Sequence, residues 1–293
     1  MQAITVFQGR RILLGVTGSI AAYKSVDLAS KLTQAGALVD VVMTESAARF
    51  VTPLAFRSVT GRPVYTDMWS LDDHVRHVGL GEAADLFLIA PATANTLAKL
   101  AHGLADNLLT VTALAARCPV VVAPAMDGGM YEHAATQANL AALAARGVVP
   151  AGPAEGRMAS GLTGLGRMLE PETLLGEARR ILARDGVLSG RRIVVTTGPT
   201  REALDPVRYI SNRSTGKQGV AVAQAALDAG AEVTLIAGPI AASPPTGARV
   251  IPVETTQQMG DAVLGCVADA DALFMVAAVA DFRPETISDR KIK

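Results

Sequence analysis

Residues 12–24 read Ile-Leu-Leu-Gly-Val-Thr-Gly-Ser-Ile-Ala-Ala-Tyr-Lys. An apolar run, Ile12 to Val16, meets a turn at Gly18 and opens into an Ala-rich helical stretch, the strand–turn–helix order from which parallel sheets are wound. The helix is expected to begin at Ser19-Ile20, where free backbone N–H groups and the helix dipole can hold an anion. The stretch lacks the full dinucleotide-binding spacing, and Gly18 serves equally well in a tight strand-to-helix connection that binds nothing.

Moving outward, the same alternation repeats. Leu38 to Met43, Leu86 to Ala90 and Val120 to Ala123 are apolar runs of the kind buried in parallel sheets, with amphipathic stretches between them. A second helix is expected to open at Thr93-Ala94. The fold implied is α/β: a flavodoxin-like or Rossmann-like doubly wound parallel sheet. Gly152 to Gly166 then interrupts the pattern with a stretch too long and Gly-rich for an ordinary connection, and reads as a functional flap. A helix over Pro171 to Ala183 leads into a polar linker, Arg184 to Arg191. The pattern restarts at Arg192-Ile193-Val194-Val195-Thr196-Thr197-Gly198, followed by a helix over Thr215 to Ala229 and strands over Glu232 to Ala237 and Ala272 to Ala277.

Two domains are therefore expected, at residues 1–185 and 190–293. The second is Rossmann-like but incomplete, because roughly a hundred residues are few for a doubly wound domain. Lys291 stands so near the end that its loop is expected to lack an anchor.

Half of the 293 residues are hydrophobic and the mean hydropathy is +0.32, enough for a sizeable core in each domain. Twenty-seven basic residues balance twenty-seven acidic ones, which argues against nucleic acid or an anionic membrane as partner. Cys118 and Cys266 are too few for a disulfide framework or a metal site, as suits a reducing compartment. The N-terminus lacks the apolar core of a signal peptide, and no apolar run reaches the ~20 residues of a membrane span. A soluble, cytoplasmic protein acting on small molecules is expected.

Candidate site residues lie at strand ends. Ala90-Pro91-Ala92-Thr93-Ala94-Asn95-Thr96 offers hydroxyl and amide groups where open α/β sheets bind ligands, although Thr93 could simply cap a helix. His77 is either a surface histidine or a general base suited to neutral pH. Pro124-Ala125-Met126-Asp127-Gly128-Gly129-Met130 could line a ligand or fill the core.

Taken together and in this order, these motifs resemble the FMN-dependent cysteine decarboxylases. Their phosphopantothenoylcysteine branch carries Gly-Ser/Gly-Ile-Ala-Ala-Tyr-Lys, a His, Ala-Pro-Ala-Thr-Ala-Asn-Thr and Pro-Ala-Met-Asn-x-x-Met. The second unit holds Asp205-Pro206-Val207-Arg208-Tyr209-Ile210-Ser211-Asn212-Arg213-Ser214-Thr215-Gly216-Lys217, then Ala277-Ala278-Val279-Ala280-Asp281-Phe282, then Lys291-Ile292-Lys293. It is similar to phosphopantothenate–cysteine ligase, often fused behind the decarboxylase in a bifunctional coenzyme A biosynthesis flavoprotein.

The resemblance implies two activities. In the first, FMN carries the electrons of an oxidative decarboxylation of 4′-phosphopantothenoylcysteine and returns them to give 4′-phosphopantetheine. Gly18, Ser19, Ile20, Thr44, Phe50, Thr93, Asn95 and Met130 would hold FMN, and His77 would be the base. In the second, CTP and Mg²⁺ activate 4′-phosphopantothenate for attack by cysteine. Asn212 would contact the acyl-cytidylate, and Met275, Val276, Ala277, Asp281 and Lys291 would bind CTP. Read without the resemblance, Asn212 is also a good turn residue, Asp281 a strand-end cap and Lys291 a solvated charge. The family further implies a homo-oligomer, with a trimer-based decarboxylase and a dimeric ligase.

Two positions depart from the family pattern. Asp127 replaces the Asn that meets the substrate carboxylate, so if ionised it must be turned away or offset by a cation. Ser160 replaces the flap Cys that donates a proton, and a hydroxyl is far less acidic than a thiol. Flavin prenyltransferases would account for the first unit alone, and flavin-binding regulatory relatives carry acidic tails that this neutral chain lacks.

Overall fold

The computed structural model describes residues 5–69 and 76–292. They form two compact units that divide between Leu182 and Ala183.

In the first unit a single helical turn at Thr5–Phe7 precedes β1 (Arg11–Val16), α1 (Ala22–Gln34), β2 (Leu38–Met43), α2 (Glu45–Ala48), α3 (Pro53–Thr60) and β3 (Val64–Tyr65). The chain continues through α4 (Arg76–Ala83), β4 (Leu86–Ala92), α5 (Ala94–His102), α6 (Leu108–Ala115), β5 (Val120–Pro124), α7 (Gly128–Glu132), α8 (Ala134–Ala145) and β6 (Val149–Pro150). A hairpin, β7 (Ala154–Arg157) and β8 (Thr163–Arg167), and the helix α9 (Pro171–Ala183) complete it.

The six-stranded sheet has the order β3-β2-β1-β4-β5-β6 and every pair is parallel. Successive side chains of β1 explain why both faces must be covered. Ile12, Leu14 and Val16 enter one core with Leu28, Phe56 and Leu88, whereas Leu13 enters the other with Phe87, Leu97 and Leu109. Each fully buried Leu or Phe contributes about 1.5–3 kcal/mol, so neither helical layer is dispensable. The order reverses between β1 and β4, and the crevice at such a switch point is where open α/β sheets bind ligands.

The second unit contains β9 (Arg192–Thr197), the hairpin β10 (Arg201–Ala203) and β11 (Tyr209–Ser211), α10 (Lys217–Asp228), β12 (Glu232–Ala237), β13 (Arg249–Pro252), α11 (Thr256–Val267) and β14 (Ala272–Met275). Its parallel sheet runs β13-β12-β9-β14. Val195, Leu235 and Ala223 centre one core, while Val194, Ile236 and Met259 centre the other.

The two sheets share a device at their strand entries. Asp85 accepts Arg11 N–H at 2.8 Å and the Arg10 guanidinium at 2.9 Å. Asp271 does the same with Arg192 N–H and Arg191, at 2.8 and 2.9 Å. Each carboxylate ties the start of its first strand to the segment entering the strand across the switch.

Several expectations change on inspection. The first helix begins at Ala22, because Ser19–Ala21 form a turn closed by Ala22 N–H on Ser19 O. The helix expected from Thr215 runs over Lys217–Asp228, and the strand expected to reach Ala277 stops at Met275. The flap is an antiparallel hairpin with a tip at 158–162. The supposed linker is folded: Leu188 N–H donates to Ala229 O, and its side chain packs on the core of the second unit.

The tail bearing Lys291 is also anchored. Ile292 N–H donates to Asp205 Oδ2 at 3.0 Å, Arg208 Nη2 donates to Ile292 O at 2.6 Å, and Ser288 N–H donates to Leu204 O. Asp205 is buried and also accepts the N–H groups of Val207 and Arg208. Burial alone would raise its pKa, but the Arg208 guanidinium and these N–H donors prevail and hold the carboxyl well below the usual range.

Candidate functional site

The site of the first unit is assembled where β1, β4 and β5 end. Thr17, buried one residue beyond β1, donates its hydroxyl proton to Pro91 O at 2.7 Å and accepts Thr93 N–H at 3.1 Å. This single side chain joins the two strand ends across the switch point. Gly18 follows, and a Cβ there would collide with Ser46, so the absence of a side chain lets the loop from β2 close against the turn. Thr44 caps α2 by accepting Ala47 N–H, and Thr93 caps α5 by accepting Thr96 N–H.

These elements enclose a hollow of about 610 Å³ in which Gly18, Ser19, Thr44, Thr93, Asn95 and Met130 all take part. Asp106 also lines it, with Lys99 Nζ 2.9 and 2.6 Å from its two oxygens, so that its carboxyl is held below the ordinary range. The size lies within the range of ligand pockets. Hydroxyls, an amide and a close backbone approach suit a flavin mononucleotide, whose phosphate needs donors and whose ring needs apolar contact such as Met130.

A second hollow, of about 510 Å³, shares Ser19, Ala125 and Met126 with the first. Ile20, Asp127 and Ser160 line it, as do three cationic residues, Lys24, Arg157 and Arg167. Lys24 is buried, and its ammonium bonds Glu170 Oε1 at 2.7 Å and Met168 O at 3.3 Å. Arg167 reaches the same Glu170 oxygen at 3.2 Å.

Asp127 and Ser160 meet directly. Asp127 caps α7 by accepting Gly129 N–H on Oδ1 at 3.2 Å, and Ser160 donates to its Oδ2 at 2.5 Å. The hairpin is further held by Gly128 N–H on Met158 Sδ and by Met126 N–H on Gly166 O, both at 3.0 Å.

Two expected residues stand apart from these hollows. Phe50 is exposed on the segment after α2, and His77 is half-buried on α4; neither lines either hollow. The three cations could not be found from local motifs, since Arg157 and Arg167 lie more than a hundred residues beyond the Lys24 turn and join it only through the hairpin.

In the second unit, Asn212 donates its amide to Ala278 O at 3.2 Å and Val279 O at 3.0 Å. Thr196 Oγ1 accepts the N–H groups of Val276 and Ala277, and Thr200 Oγ1 accepts that of Ala280. The structure thus brings Asn212 onto the segment that follows β14. Met275 and Asp281 are exposed at either end of it, and Lys291 is exposed on the anchored tail. Gly216, at φ +75°, begins α10 where a Cβ would strike Ile240, leaving a bare backbone turn near the ends of β9 and β12.

Comparisons with known proteins agree along the whole chain. Residues 5–182 match the flavoprotein family, and residues 188–293 match the C-terminal domain of DNA/pantothenate metabolism flavoproteins. The coenzyme A biosynthesis bifunctional protein CoaBC of Bacillus subtilis is 46% identical over 293 residues, covering 98% of this chain and 72% of that protein. The protein of the same name from Mycobacterium tuberculosis strain H37Rv is 48% identical over 289 residues, covering 97% and 69%. Among solved structures, a mutant PPC decarboxylase complexed with pantothenoylaminoethenethiol is 38% identical with a TM-score of 0.54, covering 59% of this chain and 97% of that one. The FMN binding protein AtHal3 is 36% identical with a TM-score of 0.53, covering 59% and 96%. With both of its units matched in order and at this identity, the chain belongs to the family of bifunctional coenzyme A biosynthesis flavoproteins.

Proposed function

We propose that the first unit decarboxylates 4′-phosphopantothenoylcysteine to 4′-phosphopantetheine with FMN, and that the second belongs to a CTP-dependent ligase joining 4′-phosphopantothenate to cysteine. The domains are read as residues 1–185 and 190–293. The observation that carries the reading is the pair of adjoining hollows: one built of hydroxyls and bare backbone for a flavin, the next lined by cations for an anionic substrate.

Gly18, Ser19, Thr44, Thr93, Asn95 and Met130 would hold the flavin on one side of the shared wall, with Ile20 on the other. FMN supplies the electron sink that makes loss of CO₂ feasible. The chain's own residues orient the substrate and manage protons. Ala125 and Met126 divide cofactor from substrate, and the hairpin covers the substrate side. His77 is assigned the base and Phe50 a flavin contact. As neither lines a hollow of its own subunit, the reading includes a homo-oligomer in which a neighbouring copy supplies them, trimeric for the decarboxylase and dimeric for the ligase. Ser160, already donating to Asp127, is assigned the position of the family's proton donor.

In the ligase half, Asn212 is assigned to the acyl-cytidylate, and Met275, Val276, Ala277, Asp281 and Lys291 to CTP. Among the described residues no group of three or more His, Cys, Asp or Glu stands together as a metal site, so Mg²⁺ is read as arriving with the nucleotide phosphates. Work in the cytoplasm is part of this reading; among the described residues no helix is long and apolar enough to cross a membrane.

Mass spectrometry of the FMN-loaded chain with 4′-phosphopantothenoylcysteine tests the decarboxylase. Saturated 4′-phosphopantetheine is expected. A product two hydrogens lighter would place the block at Ser160, and unchanged substrate with flavin bound would overturn the reading.

A further inference from the structure

We infer that Arg157 is the specificity-determining grip for the anionic group of the molecule in the second hollow, presented there by a hairpin that Ser160 latches to Asp127. The inference rests on the proposed function for the identity of that molecule, but its geometry is independent of it.

Both carboxylate oxygens of Asp127 are already engaged, Oδ1 by Gly129 N–H and Oδ2 by the Ser160 hydroxyl. A carboxylate so placed accepts hydrogen bonds and offers none to another anion. The anion must find its donor elsewhere in the hollow. Lys24 and Arg167 share one oxygen of Glu170, which holds both side chains and offsets one of their two charges. Arg157 lines the same hollow, and although its backbone pairs in the hairpin, its guanidinium has no hydrogen-bond or ion-pair partner among the described residues. Its guanidinium presents a planar fork of donors that matches an oxyanion, carboxylate or phosphate, in bidentate fashion.

Position supports the same conclusion. Arg157 ends β7, three residues before Ser160, and the tip between them is fixed at both ends: Ser160 to Asp127, and Met158 Sδ to Gly128 N–H. The replacement of an amide by an acid at 127 is thereby accommodated. The acid serves as the catch for the hairpin, and the hairpin carries the cation.

The experiment compares calorimetric affinity and steady-state kinetics of the FMN-loaded full chain with those of its Arg157→Gln and Arg157→Lys variants. Two compounds are used, 4′-phosphopantothenoylcysteine and its dephosphorylated form. Arg157→Gln is expected to raise Kd and KM by roughly 10- to 100-fold, as loss of one charged hydrogen bond does. The change in kcat should stay within about threefold, and bound flavin should be unchanged by absorbance. Arg157→Lys should recover part of the affinity.

An equal loss with both compounds assigns the grip to the carboxylate, and a loss confined to the phosphorylated compound assigns it to the phosphate. Ser160→Ala should weaken binding in the same direction by freeing the hairpin. Affinities of Arg157→Gln within twofold of the parent for both compounds would overturn the inference, as would failure of the parent chain to bind either. Parent chain that binds but does not decarboxylate would overturn the proposed function and leave the Arg157 comparison decisive by affinity alone.

Discussion

Thr17, at the end of β1, uses one hydroxyl to satisfy both a buried carbonyl and a backbone N–H at the end of β4, across the strand switch. Thr17→Val keeps the shape and removes both bonds, leaving two polar groups unpaired. A loss of about 1–3 kcal/mol is expected for each group so stranded, measured as a lower urea midpoint with an unchanged slope. Gly18→Ala acts on the ligand as well as on the fold. Because a Cβ would meet Ser46, the loop carrying Thr44 must retreat, and the affinity for FMN should fall by roughly tenfold or more; fluorescence titration of free flavin reads it directly. At this scale the sequence pointed to Gly18, Thr93 and Asn95 because they cluster within short motifs. It was silent on the Asp127–Ser160 bond, whose partners are brought together only by the fold of the hairpin.

Elements were legible where burial dictates composition. β2 and β12 match their expected bounds residue for residue, since a strand covered on both faces is mostly apolar; Asp40 is admitted inside β2 because the Arg62 guanidinium pairs with it. β3 and β6, two residues each, leave no periodic trace and pair only because longer strands beside them are in place. The start of α1 was misplaced because Ser19 closes a turn before the helix begins, a choice of local hydrogen bonding that composition does not reveal.

The tail of the second unit yields a pH prediction. The folded pKa of Asp205 lies below its unfolded value, so the anchoring of 288–292 is fully present above about pH 4, the ordinary carboxylate value. It is lost as the pH falls further, through the folded value. Asp205→Asn should release the tail at neutral pH, and hydrogen exchange at the Ile292 amide should speed up by about tenfold or more. Exchange unchanged in the variant would show that Arg208 alone suffices.

Across the whole molecule, the two units have separate cores and repeat the Asp85 and Asp271 strand ties. Residues 5–182 hold every side chain assigned to the flavin. A chain ending at Leu182 should therefore fold and retain flavin with unchanged stoichiometry, as judged by the visible absorbance of bound flavin. Loss of flavin from this shorter chain would show that the first unit depends on the second.

The wall of Ser19, Ala125 and Met126 faces both hollows. A flavin seated on one side of it would serve as a dye placed against the neighbouring chamber. Any occupant of that chamber, including one that never reacts, would alter the polarity next to the chromophore, so colour alone would report whether the chamber is filled.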